Sequence, residues 1–306
     1  MRTPLGAWLG LVVGCVTVLP MTGCGQPGPE TLRLATSTIP APAVRSWLDQ
    51  IVKLPRPFDA SLSVTGSTTA IEQLLEGQLD LVVSSRRMSL NEFLVGQSRG
   101  REIHEVLIGF GIYQVLVNPR NPVSSLTLEQ VGEIFSRRLQ DWSEVGGPKL
   151  PIVCVYRKTL PGDLDLFFEK EVSMRFEPNR HGQGQGVVVA GDTAAIDAAV
   201  QADPGAIGYL LSTDPAPGVK SLAIQSRFSK TPLKPSVEAA LSGQYPMLRP
   251  LYMYLDTAAP RAAEYFREFA ESKRGRQLLA EAGFAPAPST RTARNDPDQP
   301  VIMPDW

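Results

Sequence analysis

Four loops in this chain place hydroxyl groups, glycine or arginine where a strand gives way to a helix. The second is the plainest. Leu62 and Val64 have strand character, Gly66 stops the run, Ser67, Thr68 and Thr69 follow, and Ile71, Leu74 and Leu75 recur at helical spacing. The first turn of a helix carries unpaired N–H groups and a partial positive charge, so hydroxyls there either cap the helix or hold an anion beside it. One such cluster is ordinary capping; its recurrence is the signal. Thr36-Ser37-Thr38 ends a strand over Thr31–Ala35, ahead of helical spacing through Val44, Trp47, Leu48 and Ile51. Ser84-Ser85-Arg86-Arg87 stops an apolar strand over Leu79–Val83 and suits either an anion or a plain charged surface. The fourth loop, Arg157-Lys158-Thr159-Leu160-Pro161-Gly162-Asp163, lies between an apolar strand over Ile152–Tyr156 and a helix with Leu164, Phe167 and Phe168.

Other chemistries have little support. Cys15, Cys24 and Cys154 form no CxxC pair, and His104 and His181 lie far apart with no motif around them. Neither a zinc site nor a Cys/His or Ser/His/Asp catalytic centre is expected, and no cofactor or metal. A net charge of −1 gives no footprint for nucleic acid, so an anion site has to be local. With 43% hydrophobic and 20% charged residues, a 306-residue chain is long enough for two globular domains.

The elements that would position these loops alternate between strand and helix, which predicts an α/β fold with mostly parallel sheets and ligands beyond the strand C-termini. A short helix is expected around Leu90–Val95. The apolar run Ile103–Val117 contains Gly109 and Gly111 and reads as two strands, the second crossing into another domain. Thr127 caps a helix with Leu128, Val131, Ile134 and Phe135 inward, and Asp192-Thr193 caps another through Ile196 and Val200. Pro204–Leu211 is expected to turn into a strand, with later strands near Leu222 and over Leu251–Leu255, and one helix over Arg261–Ala282. Crossings near Gly109-Gly111 and Gly208 would divide domain I (31–111 plus 209–285) from an inserted domain II (112–208). The proline-rich tail, 286–306, is expected to be poorly ordered or draped on the surface.

The N-terminus reads as an address. Arg2, an apolar stretch from Leu5 to Leu19 and then Met21-Thr22-Gly23-Cys24 describe a secretory signal peptide over 1–23. The run is short of the ~20 apolar residues a spanning helix needs. Met-Thr-Gly-Cys resembles a bacterial lipobox, which implies lipid on Cys24, with 24–30 as a tether. Each buried CH₂ contributes ~0.8 kcal/mol, so several acyl chains hold a protein firmly at a membrane.

The mature chain resembles the phosphate-binding lipoproteins of bacterial ABC importers, a branch of the periplasmic binding proteins. The resemblance is carried by Asn118-Pro119 through Asn121-Pro122-Val123, by Leu126-Thr127-Leu128-Glu129-Gln130 with Ile134-Phe135, and by Asp141-Trp142-Ser143-Glu144-Val145-Gly146-Gly147. Pro204-Gly205-Ala206-Ile207-Gly208-Tyr209, Tyr245-Pro246 and Arg249-Pro250-Leu251-Tyr252 add to it. It implies a type II two-domain fold, two hinge crossings and a small oxyanion in a central cleft. The implied ligand-binding residues are Thr36, Ser37 and Thr38; Gly66, Ser67, Thr68 and Thr69; Ser84, Ser85 and Arg86; and Arg157, Gly162 and Asp163. It further implies an importer permease as partner, a monomeric state, and attachment to a bacterial membrane on its extracytoplasmic side. The fourth loop departs from the family's Ser-Gly-Thr: Pro161 and Asp163 remove two hydroxyls, and proline has no N–H. Asp163 either accepts a proton from hydrogen phosphate, which sulfate lacks, or caps its helix facing solvent. A sensor or adhesin that keeps the fold without the ligand is the second reading.

Cys24→Ala is expected to abolish acylation and move the protein from the membrane to the soluble fraction, read by labelled palmitate and fractionation. Unlabelled, soluble wild-type protein refutes the anchor.

Overall fold

The computed structural model describes residues 31–54, 58–157, 186–213, 217–227 and 229–288. The leader and tether (1–30) and most of the fourth loop lie outside these residues, and so do the helix expected after it, His181 and the tail from 289.

The first lobe is built from β1 (Thr31–Ser37), α1 (Ala41–Ile51), β2 (Asp59–Thr65), α2 (Ser67–Leu75), β3 (Leu81–Ser84) and α3 (Leu90–Ser98). β1 runs parallel to both β2 and β3, so all three strands end on the same side. Alternation along β1 sends Leu32 and Leu34 to one face, against α1 residues Val44, Trp47 and Ile51, and Ala35 to the other, with Ile71 and Leu74 of α2. α1 has Pro40 at its N-cap and no side-chain cap bond. A cap is worth ~1 kcal/mol, whereas each large apolar side chain buried contributes ~1.5–3 kcal/mol, so packing dominates here. At the start of β3, the Asp80 carboxylate accepts from the Arg33 backbone N–H at 2.8 Å and from its guanidinium, while Asp80 N–H donates to Arg33 O. This closed pair pins β3 to β1 at the end opposite the hydroxyl loops.

β4 (Ile103–Val117) is a single strand of 15 residues, not the two expected. Its glycines do not break it; they admit close neighbours. A Cβ on Gly109 would stand 2.6 Å from Ala285 O, and one on Gly111 would stand 2.8 Å from Leu211 Cδ1. Beyond it lie β5 (Ser125–Thr127), α4 (Leu128–Phe135), a 3₁₀ turn at Trp142–Val145, β6 (Val153–Arg157), β7 (Val187–Ala190), α5 (Thr193–Ala202) and β8 (Ala206–Leu211). Thr127 and Gln130 form the capping box of α4, and Asp192 caps α5. β9 (Lys220–Ser221), β10 (Ala223–Gln225) and α6 (Val237–Leu241) then lead to β11 (Leu248–Asp256).

The main sheet runs β2-β1-β3-β11-β4-β8-β6-β7, with β9 also on β4. It is more mixed than expected: β11 is antiparallel to β3 and β4, and β4 is antiparallel to β8. These strands connect one half of the molecule to the other instead of belonging to a strand–helix–strand repeat. β4 pairs with β11 through Ile112 and with β8 from Tyr113 onward. Two apolar clusters flank the β1–β3 end and two flank the β6–β8 end.

The C-terminal region differs from expectation twice. The long helix is two, α7 (Arg261–Glu271) and α8 (Lys273–Glu281), separated by Ser272 in extended backbone. Ser272 Oγ accepts from Gly275 N–H and starts α8 afresh. Gly275 allows the tight joint, because its own Cβ would lie 2.1 Å from Phe269 O. Its carbonyl accepts from Trp47 Nε1 at 2.8 Å, tying α8 to α1. The chain also stays packed past Gly283: β12 (Ala285–Pro286) pairs with β4, and Ala287 N–H donates to Ile108 O.

Gly275→Ala is expected to destabilise the protein by roughly 1–3 kcal/mol, as overpacking does. A urea midpoint that falls with an unchanged slope checks this; an unaltered midpoint refutes the tight joint.

Candidate functional site

Because β1, β2 and β3 are parallel and in register, the loops that leave them emerge together. Ser37 is the last residue of β1, Ser67 the first of α2, and Ser85 follows β3. Their hydroxyls meet. Ser37 Oγ donates to Ser85 Oγ at 3.1 Å, and the Ser67 and Ser85 oxygens are 3.4 Å apart. Ser85 N–H donates to Ser67 Oγ at 3.3 Å. Ser37 and Ser85 are buried and Ser67 is half-buried. Hydroxyls removed from water need partners, and here they supply one another.

The N-terminus of α2 adds donors. Its N-cap is Gly66, in extended backbone, and no side chain caps it. By contrast, α3, α4, α5, α6 and α8 each have a capping side chain. The first turn of α2 thus has no side-chain cap, as at α1 and α7, and its first residue, Ser67, belongs to the serine cluster, an arrangement that suits an anion.

The expected residues divide into groups. Ser37, Ser67 and Ser85 come together, with Gly66 beside them. Ser84 bonds within its own loop, its hydroxyl donating to Arg86 O and accepting from Arg86 N–H. Thr36 is buried, and its hydroxyl donates to Ser37 O. Thr38 and Thr69 are exposed, outside the bonded cluster. Arg86 is engaged elsewhere. Its guanidinium makes a forked ion pair with Glu92, at 2.6 and 2.9 Å, and donates to Thr68 Oγ1 at 3.2 Å. Glu92 also accepts from Ser89 N–H and closes the capping box of α3. Arg86 and the Ser89 donors hold its carboxyl down at about 2, although partial burial opposes this. Arg157 ends β6, but its side chain is outside the described residues, as are Gly162 and Asp163.

Arg249, which sequence reasoning did not place in the site, is part of the cluster. It lies on β11; its Nε donates to Ser85 O at 2.9 Å, its Nη2 to Ser85 Oγ at 3.2 Å, and its Nη1 to Tyr113 Oη at 3.3 Å. The signal was an arginine two residues before the apolar run Leu251–Leu255, where a charge needs dedicated partners.

A model of the PBP superfamily domain matches residues 25–273. The chain belongs to the PBP superfamily. Among relatives of this PBP-superfamily protein, it is 25% identical over 260 residues to protein SphX of Synechococcus elongatus, covering 81% of this chain and 75% of that one. It is 25% identical over 261 residues to the phosphate-binding protein PstS of Pseudomonas aeruginosa, covering 79% of each. The crystal structure of an ABC-type phosphate transport receptor from Vibrio cholerae superposes with a TM-score of 0.71 at 20% identity, over 83% of this chain and 99% of that one. The fold is the two-domain α/β fold of periplasmic binding proteins.

The Arg86–Glu92 pair makes stability depend on pH. Glu92 has a lowered folded-state pKa, so its contribution is full above the ordinary carboxylate range and is lost as pH falls toward about 2. Glu92→Gln is expected to remove that part of the acid sensitivity, read from urea midpoints across pH; an identical acid limb in the variant refutes the pair's role.

Proposed function

We propose that this protein captures a small oxyanion, phosphate by preference, between its two lobes and delivers it to an ABC importer. The convergence of Ser37, Ser67 and Ser85 beside the uncapped start of α2 carries this reading. It is supported by membership of the PBP superfamily and by the phosphate-binding relatives. A desolvated anion is held where nearly every oxygen meets a donor, and hydroxyls and helix amides provide donors without titrating. Closure of the lobes excludes water and strengthens each contact. Arg157, Gly162 and Asp163 would face the ligand from the second lobe. The lobes are taken as 31–111 plus 209–285 and 112–208, which the change of partner along β4 supports. The reading needs no catalytic residue.

A lipid on Cys24 would tether the monomer to the extracytoplasmic side of a membrane. Among the described residues, no helix is long and apolar enough to cross one.

Calorimetric titration with inorganic phosphate is expected to show one saturable site per chain, weakened about tenfold or more in Ser67→Ala, since hydrogen bonds to charged groups are the stronger ones. Heats indistinguishable from buffer at millimolar phosphate refute the proposal.

A further inference from the structure

Arg249 is not used in the function proposed above, and its geometry bears on the direction of the hydrogen bond between Ser85 and Ser67. A guanidinium only donates and stays charged. Through Nη2 it occupies one acceptor position of the Ser85 hydroxyl at 3.2 Å, while Ser37 Oγ occupies the other at 3.1 Å. A hydroxyl has two lone pairs and one proton, so only the proton of Ser85 is left to offer. Its hydroxyl neighbour on the remaining side is Ser67, at 3.4 Å. Ser67 Oγ already accepts from Ser85 N–H at 3.3 Å. Once it also takes the Ser85 proton, Ser67 likewise has only a proton to give. The order of donation runs from Arg249 through Ser85 to Ser67, each bond polarising the next.

We propose that Arg249 is a positioning residue for ligand specificity: by filling the acceptor capacity of Ser85, it turns the Ser85 proton onto Ser67, so that Ser85 presents no acceptor and Ser67 presents only its proton, and the pair selects oxyanions in their more deprotonated form. This rests on the oxyanion reading of the site and adds the protonation state of the guest. Among the described residues, the charged and titratable groups near Ser85 are Arg249 and Tyr113, Tyr252 opposite Ser84 in the ladder, and Arg86 on its own loop, matched by Glu92. Tyr252 is shifted upward by burial and stays neutral, and Glu92 stays ionised, across the range in which phosphate passes from monoanion to dianion. No carboxylate is bonded to the three serine hydroxyls among the described residues.

The test is calorimetric titration of inorganic phosphate across its second ionisation, with wild-type, Arg249→Met and Arg249→Lys proteins. Wild-type affinity is expected to rise with pH. Arg249→Met is expected to lose about tenfold or more at the alkaline end and much less at the acid end, because a freed Ser85 lone pair can accept the ligand's proton. Arg249→Lys, which keeps the charge without the fork, falls between, and carries the comparison alone if Arg249→Met does not fold. A flat wild-type profile overturns the inference. So does an equal loss at every pH, the mark of a merely structural role, or no loss at all. Wild-type protein that binds no phosphate overturns the oxyanion reading together with this inference, whereas phosphate binding with an unaltered Arg249 variant overturns this inference only.

Discussion

β4 and β11 lie side by side over most of the length of β11, and the rest of the sheet hangs on that pair. β11 carries β3, and through it β1 and β2; the far half of β4 carries β8, and through it β6 and β7. The pairing shifts register between Leu251 and Tyr252, opposite Gly109 and Leu107, so the ladder bends there without parting. Two apolar halves are thereby joined through continuous backbone hydrogen bonding. Each half keeps its own apolar cluster on either side of that join.

The site is a consequence of strand direction. Parallel strands in register bring their C-terminal loops to one side, and the three serines are left within bonding distance. Alignment is held from the other end by Arg33 and Asp80, whose backbone and side-chain bonds close on each other. Slippage of β3 against β1 would break that pair and separate Ser85 from Ser37 together. A structural ion pair remote from the ligand thus sets the geometry that the ligand would meet.

Two arginines near the cluster behave differently, and partner geometry explains why. Arg86 sits on the loop itself but faces Glu92, so its charge is matched before any guest arrives. Arg249 comes from a distant part of the chain, yet grips Ser85 by both carbonyl and hydroxyl. Proximity in sequence favoured the first; the antiparallel neighbour of β3 supplied the second.

Local pattern carried much of the architecture. Apolar spacing, proline placement and capping residues located α1, α2, α4 and α5 and the strands beside them, because those signals act within one turn or one strand. They failed where the deciding neighbour was far away. Gly109 and Gly111 look like breaks until Ala285 and Leu211 are set against them, and Ser272 looks like mid-helix until Gly275 packs on Phe269. For the site, the chain by itself determined that hydroxyl-bearing loops follow successive strands. Only the tertiary structure decided which hydroxyls meet, which arginine bonds Glu92 and which one bonds Ser85, since sheet pairing brings the second of these from more than a hundred residues away.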